Sequence, residues 1–97
     1  MNPERWSKLS LAKQMGNIGS EINRVIHWNE LGDKEEMKNS LWRTLELIDL
    51  TIIQRKRGEI SRLREVICDI FLDKNNYKVS TKSLKEYFLN FALLANK

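Results

Sequence analysis

Three kinds of residue in this 97-residue chain have the types and spacing to do chemistry. They are one histidine and one cysteine at distant positions, pairs of acids set for one helix surface, and a run of arginines and lysines. His27 stands three positions after Arg24 and between the acids Glu21 and Glu30, which is neither an HExxH helix nor a Glu-x-x-His repeat. It therefore reads as a half-exposed histidine beside Trp28 and not as a metal ligand, and no cofactor is expected. Cys68 lies among Val66, Ile67 and Ile70, where apolar surroundings disfavour the thiolate that nucleophilic catalysis needs. It reads as a structural thiol. Gly16-Asn17-Ile18-Gly19 sits inside a helical pattern and not after a strand, so it is no phosphate loop.

The acids come next. Glu46 and Asp49 are three apart, and Glu65 and Asp69 four apart, so each pair shares one surface of a helix. Two readings stay open: solvated faces, or an interhelical network in which Glu21 or Asp49 meets Arg24, Arg43 or Arg64. Asp49 stands among Ile48, Leu50, Ile52 and Ile53, where an unpartnered carboxylate would be costly. A cationic partner is expected for it. An acid-base site around Glu21, Arg24, His27 and Asp49 is a third reading, and it requires a pocket joining all four.

The formal charge of +4 is concentrated in residues 55 to 64, which hold Arg55, Lys56, Arg57, Arg62 and Arg64 against Glu59. Guanidinium groups match phosphates in bidentate geometry, so these five residues are the candidate nucleic-acid or anion surface. Two features weaken that reading. No aromatic residue is interleaved to stack on bases, and cations at a helix C-terminus are explained by the helix dipole without any ligand. The three tryptophans offer the other candidate surface. Trp6, Trp28 and Trp42 either cap the ends of a small core or mark a partner surface, since Trp is a preferred interface anchor.

The elements that position these groups follow from periodicity. Leu11, Met15, Ile18, Ile22, Val25 and Ile26 recur at spacings of three and four, giving a first helix from Ser10, its N-cap, to Leu31. Gly19 falls between Met15 and Ile22, a place for close approach of a neighbouring helix. Gly32 suits the left-handed position after a helix end, and Asp33 with Glu36 makes a capping box for a second helix, Lys34 to Arg55. Met37, Leu41, Leu45, Ile48 and Ile52 are its main stripe, widened by Trp42, Leu47, Leu50 and Ile53. Gly58 either ends that helix or lies within a continuous rod. A third helix covers Glu59 to Leu72, with Ile60, Leu63, Ile67, Ile70 and Phe71. After a polar loop at Asp73 to Lys78, a fourth begins at Ser80 or Thr81 and carries Leu84, Tyr87, Phe88, Phe91, Leu94 and Ala95.

The expectation is one all-α domain over residues 1–97, an antiparallel four-helix bundle with two long N-terminal helices and two shorter C-terminal ones. Residues 1–9 are an arm that packs through Trp6 and Leu9. One Pro and four Gly are too few for a turn-rich β fold, and a single cysteine excludes an internal disulfide. No apolar stretch at the N-terminus suggests a signal peptide, and no run spans a bilayer, so a cytoplasmic protein without membrane insertion is expected. The best-supported role is a non-enzymatic module that binds a protein partner or forms a homodimer; the alternative is nucleic-acid binding by the basic stretch. Any small-molecule ligand is left unknown.

Arg5-Trp6-Ser7-Lys8-Leu9-Ser10, Asn17-Ile18-Gly19-Ser20-Glu21-Ile22 and Arg64-Glu65-Val66-Ile67-Cys68-Asp69-Ile70-Phe71 resemble a group of small prokaryotic all-helical proteins. That resemblance implies a compact cytosolic bundle and transfers no catalytic or binding residue. The bundle is also similar in outline to HEPN-type helical proteins, which include RNases and toxins. Their signature is an arginine, four to six residues, then a histidine. Here Arg24 and His27 are separated by two residues, so the RNase activity does not carry over.

Overall fold

The computed structural model describes residues 2–55, 58–72 and 81–95, and among them every regular element is a helix. In chain order these are α1 (Pro3–Ser7), α2 (Leu11–Leu31), α3 (Lys34–Arg55), α4 (Gly58–Phe71) and α5 (Thr81–Ala95). The radius of gyration of 12.9 Å is close to the ~13 Å of a compact chain of this length. The polar loop and the Ser80 cap lie outside the described residues, as do the side chains of Phe91, Leu94 and Ala95.

Local chemistry sets the boundaries of α2 and α3. The Ser10 hydroxyl accepts a hydrogen bond from the Lys13 amide, capping α2. At its other end Gly32 takes φ +77, and the amides of Gly32 and Asp33 donate to the carbonyls of Asn29 and Trp28. That pair of bonds closes the helix end in a Schellman motif. The Asp33 carboxylate then accepts from the Glu36 amide and starts α3. Only this half of the expected capping box forms, because the Asp33 amide is already committed to Trp28. The short turn folds α2 and α3 into a hairpin. α3 ends at Arg55 and α4 starts at Gly58, with Lys56 and Arg57 outside the described residues.

α2 is the central element and packs against both α3 and α5, while α3 also carries α4 and α1. Its stripe of Met15, Ile18, Ile22, Val25 and Ile26 is buried as the spacing predicts. Gly19 lies where α5 crosses: a Cβ placed on it would come within 2.8 Å of the Phe88 Cβ. The helix cost of a glycine, about 1 kcal/mol, is offset there by the close seam it permits. Gly16 has no neighbour within 4 Å of such a Cβ, so packing does not explain it.

Met37, Leu41, Leu45 and Ile48 of the expected main stripe of α3 are buried, but the face widens on the other side from that expected: Ser40, Thr44 and Thr51 are buried with them, whereas Leu47, Leu50 and Ile52 are half-buried and Trp42 and Ile53 are exposed. Two of the buried hydroxyls are satisfied within the helix: Thr44 donates to the Ser40 carbonyl at 2.8 Å and Thr51 to the Leu47 carbonyl at 2.9 Å. A threonine bonded in this way can enter a core at little polar cost.

The N-terminal arm is a short helix, which the periodicity did not foresee. Asn2 caps it by accepting from the Glu4 amide, and Pro3 occupies the first turn. Its purpose is to deliver Trp6 to the core, where that side chain is 0% exposed. Trp6 is thus an internal anchor and not part of a surface: its indole N–H donates to Thr51 Oγ1 at 2.8 Å. The Gln14 amide group donates to the Trp6 carbonyl at 2.7 Å, and Gln54 donates to the Pro3 carbonyl at 3.0 Å.

Candidate functional site

Arg55 and Arg64 are nine positions apart in the same basic stretch, and the structure gives them opposite tasks. Arg55 is half-buried, and its Nε donates to Gln14 Oε1 at 3.0 Å while its Nη2 donates to the Leu9 carbonyl at 2.9 Å. It is a strut between α3, α2 and the arm. Two of its five N–H donors hold the fold together.

Arg64 stands on α4 and reaches across to α3, where its Nε donates to Asp49 Oδ1 at 2.7 Å. The expected partner of Asp49 is found. The carboxylate hydrogen bond holds the Arg64 guanidinium above its ordinary pKa, with partial burial opposing and the charge of Asp49 assisting. Arg64 Nη1 also lies 4.0 Å from the Cys68 sulfur, a long contact. Cys68 is a free thiol, half-buried against the core. Arg62 is exposed, so of the five basic candidates the described ones do not form one charged surface: one is a strut, one is ion-paired and one is open to solvent.

Asp49 and Arg64 form part of a groove of about 390 Å³ between α3 and α4. Trp42, Leu45, Glu46, Asp49, Leu50 and Ile53 line it from α3, with Arg64 on the α4 side. These α3 positions recur at three and four, so they share one side of the helix, next to the core-facing side. Trp42 is 55% exposed and Ile53 68%, eleven positions along the same helix. Ordinary core helices turn such residues inward. The spacing alone puts Trp42, Leu50 and Ile53 in a widened core stripe; the sequence sign that points the other way is the pair of threonines at 44 and 51, which compete for the inward side.

The remaining candidates are dispersed. Trp28 is half-buried and meets the exposed His27 edge-on, ring centroids 5.0 Å apart. Glu21 pairs with Arg24 at 3.0 Å and with Arg43 at 3.5 Å, which realises the interhelical network. Among the described residues, Asp49 is the one member of the acid-base reading that lines either of these two grooves, and neither groove joins all four. Glu65 is exposed while Asp69 is buried, so these two do not make a common solvated face. Among the described residues no cluster of His, Cys, Asp or Glu is set to hold a metal ion.

A second groove, about 430 Å³, runs between α2 and α5 beside Gly16, Gly19 and Phe88, with Ser20, Asn23, Lys85 and Leu89 on its walls. Its polar groups are exposed and scattered. Among the described residues lining it, Leu89, 57% exposed, is the one large open apolar side chain. No described helix is long and apolar enough to cross a membrane. No family model, curated protein or solved structure matches this chain, so its function is argued from its own grooves and charges.

Proposed function

We propose that this chain is a non-enzymatic helical module that works through protein contacts, and that it associates with itself through the α3–α4 groove. In this reading the four longer helices form an antiparallel bundle, α1 closes one end of it, and the protein is cytoplasmic. The observation that carries the proposal is the exposure of Trp42 and Ile53 on the rim of a groove floored by Leu45 and Leu50. Apolar area left in water forgoes about 25 cal/mol per Å², and exposed large apolar side chains gathered at one groove mark a contact surface. Tryptophan at its edge is the residue type that most often anchors one.

Sedimentation velocity over a wide concentration range tests this. The natural chain should pass from monomer to dimer, and Ile53→Glu should remain monomeric with an unchanged helical circular dichroism spectrum. A natural chain that stays monomeric at every concentration removes the proposal.

Nucleic-acid binding by Arg55, Lys56, Arg57, Arg62 and Arg64 has less support, because Arg55 and Arg64 already have partners within the chain. Titration of labelled RNA and DNA at low salt decides it, since phosphate contacts are strongest there.

A further inference from the structure

We infer that the arm end of the molecule docks on the phosphate backbone of double-stranded nucleic acid through Arg5, Lys8 and Lys13. This is independent of the α3–α4 groove, and it places the phosphate contact at the arm and not along residues 55 to 64. It starts from which cations already have acids of their own. Arg24, Arg43 and Arg64 do, being paired with Glu21 or Asp49. Arg5, Lys8 and Lys13 are exposed, and no ion pair within the described chain engages their side chains. The fold gathers these three at one corner. The Lys8 amide donates to the Arg5 carbonyl, so both belong to the single turn of α1. Lys13 follows in the first turn of α2, its amide on the Ser10 cap. Arg55, bonded to the Leu9 carbonyl between them, adds its charge to the same corner. Residues 1–13 hold one acid, Glu4.

The opposite end has the opposite sign. Around the α2–α3 turn, Glu30, Asp33, Glu35 and Glu36 outnumber Lys34 and Lys38. α2 runs about 30 Å between the two ends, along a molecule 35 Å in its longest extent. That exceeds the Debye length of about 8 Å at physiological salt, so an anionic surface meets one end at a time, drawn to the arm and held off by the turn. The arm end suits a duplex best. A lipid surface needs an apolar side chain to enter it as well as charge, and none of the large exposed apolar residues lies in α1 or the first turn of α2, where Trp6 is fully buried. Unpaired nucleobases would find no exposed ring there to stack on. Flexible cations facing regularly spaced phosphates need neither. The 24 × 23 Å cross-section spans about seven phosphates of one strand at roughly 3.4 Å each, room for three such contacts.

Fluorescence anisotropy with labelled DNA and RNA duplexes of mixed sequence tests this. Three phosphate contacts predict that affinity falls on the order of fortyfold between about 50 and 200 mM salt. Replacing all three cations together, Arg5→Gln, Lys8→Gln and Lys13→Gln, should weaken binding about tenfold or more at low salt and flatten the salt dependence, with an unchanged helical circular dichroism spectrum. The matched control is Arg62→Gln, Lys82→Gln and Lys85→Gln, exposed cations away from the arm whose removal lowers the net charge equally. It should keep the affinity within about threefold and retain the salt slope. Equal losses in the two triple variants overturn the proposal, because net charge and not the arm then drives binding. So does the absence of binding at low salt, a single strand preferred to either duplex, or capture by phosphatidylserine vesicles without binding to duplexes. Self-association is read separately, by sedimentation of the natural chain and Ile53→Glu without nucleic acid, so either reading can fail while the other stands.

Discussion

The arm end of the molecule and the α3–α4 groove are built from the same residue types and treat them oppositely. Each has a tryptophan and an arginine from the basic stretch, and each rests on α3. At the arm end Trp6 is fully buried, its indole N–H is bonded to Thr51, and Arg55 is tied to Gln14 and the Leu9 carbonyl. In the groove Trp42 is largely open, and Arg64 makes an ion pair that solvent reaches from both sides. Residue type thus does not separate structure from surface here. The separation comes from a third element: α1 covers one end of α3, and nothing in the described chain covers the groove side of it.

Truncating the two tryptophans breaks the comparison most directly. Trp6→Ala removes a fully buried ring and strands the Thr51 hydroxyl's contact, so a loss of about 3–5 kcal/mol is expected in denaturant unfolding. For a domain of this size that is a large share of a total stability of roughly 5–15 kcal/mol. A loss below about 1 kcal/mol would mean that the arm is detached in solution.

Trp42→Ala should cost far less in the monomer, about 1 kcal/mol, the middle of the range for single substitutions. Its effect belongs to association: the dimer should weaken while the unfolding of dilute protein barely changes. If Trp42→Ala destabilised the dilute monomer as much as Trp6→Ala does, the groove would not be an open surface, and the contrast between the two regions would fail.

Much of this contrast was legible only in part. Boundaries came from local signals, and so they could be read: the Ser10 cap, the left-handed Gly32, the Asp33 cap and the periodic stripe of α2 all act within one or two turns. Gly19 was legible too, because a glycine between two buried positions asks for a close neighbour, and Phe88 is that neighbour. The need of Asp49 for a cation followed from its apolar surroundings, and Arg64 was among the three arginines considered. The arm helix was missed although Asn2, Pro3 and Glu4 are a capping residue, a first-turn proline and a first-turn acid; one turn is too short to show a period. Arg55 could not be assigned, since its acceptors Gln14 and Leu9 lie 41 and 46 positions away. The groove was hidden because a broad apolar helix reads as core until the buried threonines show which side faces inward.

The smallest expected effect is the most informative about the groove. The side chains of Arg64 and Asp49 are 40% and 48% exposed, so their 2.7 Å ion pair is screened, and a double-mutant cycle with Arg64→Gln and Asp49→Asn in dilute monomer should give a coupling of about 0.5 kcal/mol. Added salt should reduce it further. The pH contribution of the raised Arg64 pKa has a definite sign: a base raised by folding contributes stability that is complete below its unfolded pKa and is lost only as pH rises through the folded one. That window is strongly alkaline, so salt and not mild base is the useful lever on Arg64. In the dimer the second copy would exclude water from the same pair, so the coupling measured on association should be larger and less sensitive to salt than in the monomer. Equal salt dependence in both states would mean that the pair stays in solvent on association, and that the covering surface lies somewhere other than this groove.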